Sequence, residues 1–128
     1  MNVDPIIAVR DVEASSRWYQ TVFGCTSAHG GSEFDVLLTA QGDVLLCLHK
    51  WGVDSHPTMT DSSTLAGNGL ILYIRTESME DIRQTLRGMS YSVEEDITVN
   101  PNSRRREFSL RDPDGYYLTV TELHRYEG

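Results

Sequence analysis

The chain has 128 residues, the size of one compact domain, and carries a formal net charge of −8. That charge disfavours a grip on nucleic-acid phosphates, which needs clustered Lys and Arg; the one basic run, Arg104-Arg105-Arg106, reads as a solvated strand edge. No stretch reaches the roughly 18 consecutive apolar residues of a membrane-spanning helix.

No signal-peptide pattern opens the chain, and its two cysteines are too few for a disulfide framework. Cys47 sits in the apolar run Val44-Leu45-Leu46-Cys47-Leu48, where a buried, reduced thiol is expected. The expectation is a cytoplasmic protein with no nucleic-acid or membrane partner.

Val3 to Val9 is short and rich in apolar and β-branched residues, and predicts a strand. Asp11 is a good N-cap, and Ser15, Trp18, Tyr19, Val22 and Phe23 follow at helical spacing until Gly24 supplies a stop. Thr26 to His29 reads as a short strand. Phe34 to Thr39 and Val44 to His49 flank the turn Ala40-Gln41-Gly42-Asp43, so the first half reads β-α-β-β-β. Trp51 to Asn68 is the longest irregular stretch, and its part from Gly52 to Gly67 is expected to act as a lid.

The second half repeats the order. Leu70 to Ile74 is a strand, and Ser78 is the expected cap of a helix whose stripe is Met79, Ile82, Leu86 and Met89. Tyr91 to Val99 reads as one strand with an irregular middle, followed by the turn Asn100-Pro101-Asn102-Ser103. Arg106 to Leu110 and Tyr117 to Leu123 flank Asp112-Pro113-Asp114-Gly115, strong turn chemistry. Val9 is matched with Ile74, Arg10 with Arg75, and Gly42 with Gly115. The fold class is α+β: two βαβββ units, about 1–66 and 67–128, forming a curled mixed sheet around a cleft, with the helices outside.

Three stretches carry a family resemblance: Ile6 to Tyr19 with its end at Phe23-Gly24, Leu70 to Ile74 with the helix after it, and Phe108 to Leu118. They resemble the opening strand and helix, the second unit, and the closing hairpin of the glyoxalase / bleomycin-resistance / dioxygenase (vicinal oxygen chelate) superfamily. The resemblance implies four positions where the metal enzymes of that superfamily place ligands. Counted from Asp11, Gly42, Ile74 and Gly115, they fall on Asp4, Leu46, Gly69 and Thr119. Gly69 and Leu46 offer no side-chain donor, Thr119 is a poor ligand, and a divalent metal needs three or four convergent donors. No metal and no other cofactor is therefore expected. A shift of the last strand would bring Glu122 in place of Thr119.

His29, His49, His56 and His124 are scattered and read as surface or strand-end residues. Neither Gly30-Gly31 nor Gly67-Asn68-Gly69 has the Lys or following helix of a phosphate loop. Trp18 and Tyr19 read as packing residues of the helix. By alternation the cleft is expected to be lined by Asp4, Leu46, Leu48, Gly69, Tyr73, Phe108 and Thr119, with Trp51 at its rim and Leu45 and Cys47 facing the helices. The resulting expectation is metal-independent binding of a small aromatic or amphipathic molecule, like the sequestration of antibiotics in the bleomycin-resistance branch, by a homodimer and without catalytic residues. The alternative is a glyoxalase- or dioxygenase-like enzyme, with Asp4 as a general base if burial raises its pKa.

Overall fold

Asp11 closes the first strand and starts the first helix. Its backbone is extended, and its carboxylate accepts the Ala14 N–H at 2.9 Å, which satisfies a donor the helix itself cannot. The computed structural model containing this cap describes residues 1–53, 56–65 and 67–123. Among them the elements run β1 (Ile6–Val9), α1 (Val12–Phe23), β2 (Thr26–Ser27), β3 (Phe34–Leu38), β4 (Val44–Lys50), β5 (Ile71–Thr76), α2 (Met79–Gly88), β6 (Glu95–Val99), β7 (Arg106–Arg111) and β8 (Tyr117–Glu122), with one short 3-10 turn at Pro57–Met59. No helix among the described residues is long and apolar enough to cross a membrane.

The chain divides into two units, Met1–Ala66 and Gly67–Gly128. Each is a βαβββ unit with its own four-stranded sheet, in the orders β1-β4-β3-β2 and β5-β8-β7-β6. In each sheet the first strand runs parallel to the last, which a helical crossover permits, and the remaining pairings are antiparallel. The fold class is therefore α+β, and each described strand pairs within its own unit.

In the first unit α1 packs on β3 and β4. Val12, Tyr19 and Val22 on the helix and Ile7, Val9, Leu37, Leu46 and Leu48 on the strands are all buried. Gly24 ends the helix in the left-handed region, at φ 69°, where an L side chain would be strained. In the second unit the buried stripe of α2 is Met79, Ile82, Arg83 and Leu86, and the buried strand residues include Phe108, Leu110, Leu118 and Val120.

Several boundaries differ from expectation. Met1 to Pro5 lie outside β1, where Pro5 has no N–H for a ladder. Met89 follows α2 and is exposed, so it is not part of the stripe. Ser78 occupies the cap position without a side-chain cap bond; its own N–H donates to Thr76 Oγ1 at 3.0 Å. Only Glu95–Val99 of the Tyr91 to Val99 stretch pairs as a strand.

Candidate functional site

The two faces of each sheet can be assigned from contacts to its helix. In the first unit the Asp35 carboxylate accepts the Ser16 hydroxyl of α1 at 2.7 Å, so Asp35 lies on the helix side. Leu48 pairs with Asp35 and Ile7, and Leu46 with Leu37, so Leu46 and Leu48 share that side. This reverses the expected facing. Cys47, paired with Ile6 and Val36, and His49, paired with Ala8 and Phe34, lie on the face turned away from α1.

The cause is a β-bulge. Leu38 pairs with Val44 but Leu37 pairs with Leu46, which leaves Leu45 as an extra residue in β4. The closing hairpin has no such insertion: Arg111 pairs with Tyr117 and Leu110 with Leu118. A count of four from the turn glycine therefore reaches Leu46 on the helix side in one unit and Thr119 on the other side in the next. Cys47 is the structural counterpart of Thr119.

The match of Val9 with Ile74 also shifts. Ile6 pairs with Cys47 as Tyr73 pairs with Thr119, and Asp11 and Ser78 occupy the two cap positions at the same spacing. Ile6 corresponds to Tyr73, and Asp4 to Ile71. Gly69 precedes β5 in a turn at φ 85°. The four equivalent positions are thus Asp4, Cys47, Ile71 and Thr119.

These residues do not fit a divalent metal. Ile71 has no donor, and the Thr119 hydroxyl is hydrogen-bonded to Ser109 Oγ at 3.0 Å. Burial pushes the Cys47 thiol up, with added repulsion from Asp4 and Asp35, so the ligating thiolate is disfavoured. Glu122 is no substitute. It pairs with Thr76 in an unbroken β8, on the opposite face from Thr119, and its carboxylate is bound by Arg106. Among the described residues no three His, Cys, Asp or Glu side chains stand together as a metal site.

In the second unit Arg83 of α2 lies over the Phe108 ring, 6.0 Å from its centroid, so Phe108 is on the helix side with its pairing partner Val120. Phe108 thus moves out of the expected lining and into the core. Tyr73 does lie on the face turned away from α2, together with Thr119, Ser109, Arg75, Thr121 and Glu107, as the cross-strand pairs require. Ile71 and Tyr73 are exposed there, whereas Thr119 and Ser109 are buried.

Tyr73 on β5 donates its hydroxyl to Glu107 Oε2 on β7 at 3.0 Å, so its ring reaches across β8. The other carboxylate oxygen of Glu107 accepts Asn100 Nδ2 at 2.8 Å. Asn100 is itself held by the N–H groups of Asn102 and Ser103 on its Oδ1, which turns its amide nitrogen toward Glu107. The alternation Arg106-Glu107-Phe108-Ser109-Leu110-Arg111 carried this signal: with Phe108 and Leu110 in the core, Glu107 and Ser109 must share the other face.

The first unit places aromatic rings on its corresponding face. Phe34 and His49 meet edge-on with centroids 6.1 Å apart, and His49 meets His56 at 4.8 Å. His49 stands at the end of β4 but is buried rather than at the surface, and its Nδ1–H donates to Lys50 O at 2.8 Å. His124 lies outside the described residues. Trp51 is half-buried just after β4, its backbone N–H donating to Val9 O at 3.2 Å. Asp4 is exposed. Of the stretch read as a lid, residues 54, 55 and 66 lie outside the described residues, and Gly52 N–H bonds Met59 O at 2.7 Å.

A depression of about 510 Å³ opens at the start of α2, lined by Glu77, Glu80, Asp81, Arg106 and Glu122 among others. Arg106 is paired with both Glu80 and Glu122, and no aromatic residue lines the depression. The candidate site is accordingly the sheet face bearing Ile71, Tyr73, Glu107, Ser109 and Thr119.

A family model for the Glyoxalase/Bleomycin resistance protein/Dioxygenase superfamily matches residues 3–120. No curated protein sequence matches the chain. A bleomycin resistance determinant encoded on the transposon Tn5 superposes with a TM-score of 0.71 at 13% identity, over 98% of this chain and 99% of its own. A protein from the mobile metagenome of V. Pseudocholerae gives 0.73 at 19% identity, over 98% and 96%. TioX from Micromonospora sp. ML1 gives 0.69 at 14% identity, over 96% and 100%. At these identities the likeness is one of fold.

Proposed function

The chain belongs to the Glyoxalase/Bleomycin resistance protein/Dioxygenase superfamily, and we propose that within it this protein binds a small aromatic or amphipathic molecule without a metal. The observation that carries the reading is the mixed character of the sheet face away from α2. Exposed Ile71 and Tyr73 stand beside fixed polar groups, the Ser109–Thr119 hydroxyl pair and the Tyr73–Glu107 bond. Apolar area with a few placed polar points suits small-molecule recognition. Each 100 Å² or so of apolar surface covered contributes about 2.5 kcal/mol before ordering costs are subtracted.

Sequestration of the bleomycin-resistance kind needs only binding, and the donor-poor set Asp4, Cys47, Ile71 and Thr119 agrees with that. Trp51 belongs to this reading as a stacking side chain, and so do a homodimer and a cytoplasmic location. The test pairs metal analysis of the purified protein with a thermal-shift screen of divalent metals, antibiotics and aromatic metabolites. A ligand of the native state raises Tm by mass action. The expected result is a shift with planar organic molecules and none with metals. Stoichiometric bound metal, lost on Asp4→Ala, would instead overturn metal-free binding and support the enzyme alternative.

A further inference from the structure

Glu107 is distinguished by its partners. Along the same sheet and helix, Glu122 is paired with Arg106, Asp96 with Arg83 and Arg87, and Glu94 with Arg111. The carboxylate of Glu107, half-buried on β7, is held by two neutral donors, Tyr73 Oη and Asn100 Nδ2, and has no cationic partner among the described residues. Arg75 shares its cross-strand row through Thr121. A partly desolvated negative charge is costly when it lacks a counter-charge, yet here its geometry is fixed from both oxygens.

We propose that Glu107 is the anionic anchor of the site and selects ligands that carry an ammonium group on an aromatic or apolar body. The inference rests on the reading that this face binds small molecules. The two neutral hydrogen bonds orient the carboxylate without neutralising it. An incoming ammonium supplies the missing charge and forms charge-assisted hydrogen bonds, stronger than those a hydroxyl makes. The Tyr73 ring, which reaches across β8 to place its hydroxyl on Glu107, presents an aromatic surface beside the bound cation. Exposed Ile71 offers the adjoining apolar contact. Tyr73 and Asn100 act as positioning residues for the carboxylate.

The experiment compares two probes of matched shape, tryptamine and its neutral alcohol counterpart indole-3-ethanol, titrated into the full chain at pH 7 and 0.15 M salt with amide NMR shifts as readout. Tryptamine is expected to move amides in β5, β7 and β8 and to bind about tenfold more tightly than the alcohol. Glu107→Gln should abolish that preference, bringing the affinity for tryptamine to that for the alcohol. Glu33→Gln, the same charge change in the other unit, should leave the preference intact, which separates a local anchor from the diffuse field of net charge −8. Tyr73→Phe keeps the ring and removes one orienting bond, so it should retain only part of the preference, and it serves if Glu107→Gln does not fold. Equal affinity for both probes, or a preference unaffected by Glu107→Gln or by Tyr73→Phe, overturns the anchor while the binding face stands. No response to either probe counts against the binding face itself, and the anchor falls with it.

Discussion

The buried carboxylate of Asp35 accepts the Ser16 hydroxyl at 2.7 Å and so ties β3 to α1. The same carboxylate accepts the Ser27 hydroxyl and the N–H groups of His29, Gly30 and Val36, holding the turn between β2 and β3 against the sheet. One side chain therefore fixes the edge of the first unit.

Replacing Asp35 should be costly. Asp35→Ala leaves two hydroxyls and three N–H groups without their acceptor, and a loss of about 3 kcal/mol in urea unfolding at pH 7 is expected. Asp35→Asn, which keeps one acceptor oxygen, should lose less. A change within experimental error for Asp35→Ala would show that water or backbone rearrangement replaces the network.

Acid should weaken the same network. Burial alone would raise the Asp35 pKa, but hydrogen bonds from Ser16, Gly30 N–H, Ser27 and Val36 N–H outweigh it and hold the group below the ordinary carboxylate value. With the folded pKa below the unfolded one, the contribution is fully present above about pH 4 and is lost as pH falls through the folded value. Stability of the natural chain should thus drop more steeply than that of Asp35→Asn as pH falls below about 4. Parallel curves for the two proteins would contradict this.

Core and site residues should separate experimentally. Leu48→Ala and Phe108→Ala remove fully buried side chains on the helix faces and should cost about 2–5 kcal/mol each in unfolding experiments. Tyr73→Phe, at an exposed position, should change stability by less than about 1.5 kcal/mol. A near-neutral Phe108→Ala would return that residue to the ligand face.

Two nearby glycines should respond differently to alanine. A Cβ on Gly67 would come within 2.7 Å of the Tyr116 ring, and φ there is 68°, so Gly67→Ala combines a clash with backbone strain. A Cβ on Gly69, at φ 85°, meets nothing within 4 Å, and only the strain remains. Thermal unfolding should rank Gly67→Ala below Gly69→Ala, with a difference of about 1–2 kcal/mol; equal Tm values would be inconsistent with the packing of Tyr116.

The thiols should be inert in the folded protein. Burial pushes Cys25 up to about 11, and burial with the charges of Asp4 and Asp35 raises Cys47 as well, so little thiolate exists at neutral pH. Labelling with a thiol-reactive disulfide should be slow in buffer and rapid in urea. Fast modification of either cysteine in the native protein would run against this placement.

Element type and order were legible in the sequence because their causes are local. The Asp11 cap, the helical spacing through Trp18 and Tyr19, and the turn residues around Gly42 and Gly115 act within a few residues of themselves. The faces of β4 and β7 were not legible, because a strand's period of two makes any one-residue error reverse every side chain. The extra residue at Leu45 is such an error, and only strand pairing reveals it: Leu46 and Leu48 turn to the helix, and Cys47 takes the place opposite Ile6. Phe108 was given the wrong face for a related reason: the alternation of β7 puts Phe108 and Leu110 together, but which face they take is decided when Arg83 of α2 settles on the Phe108 ring. Local chemistry determined which strands and helices form; which residues share the candidate face was decided by pairing and packing between strands far apart in the chain.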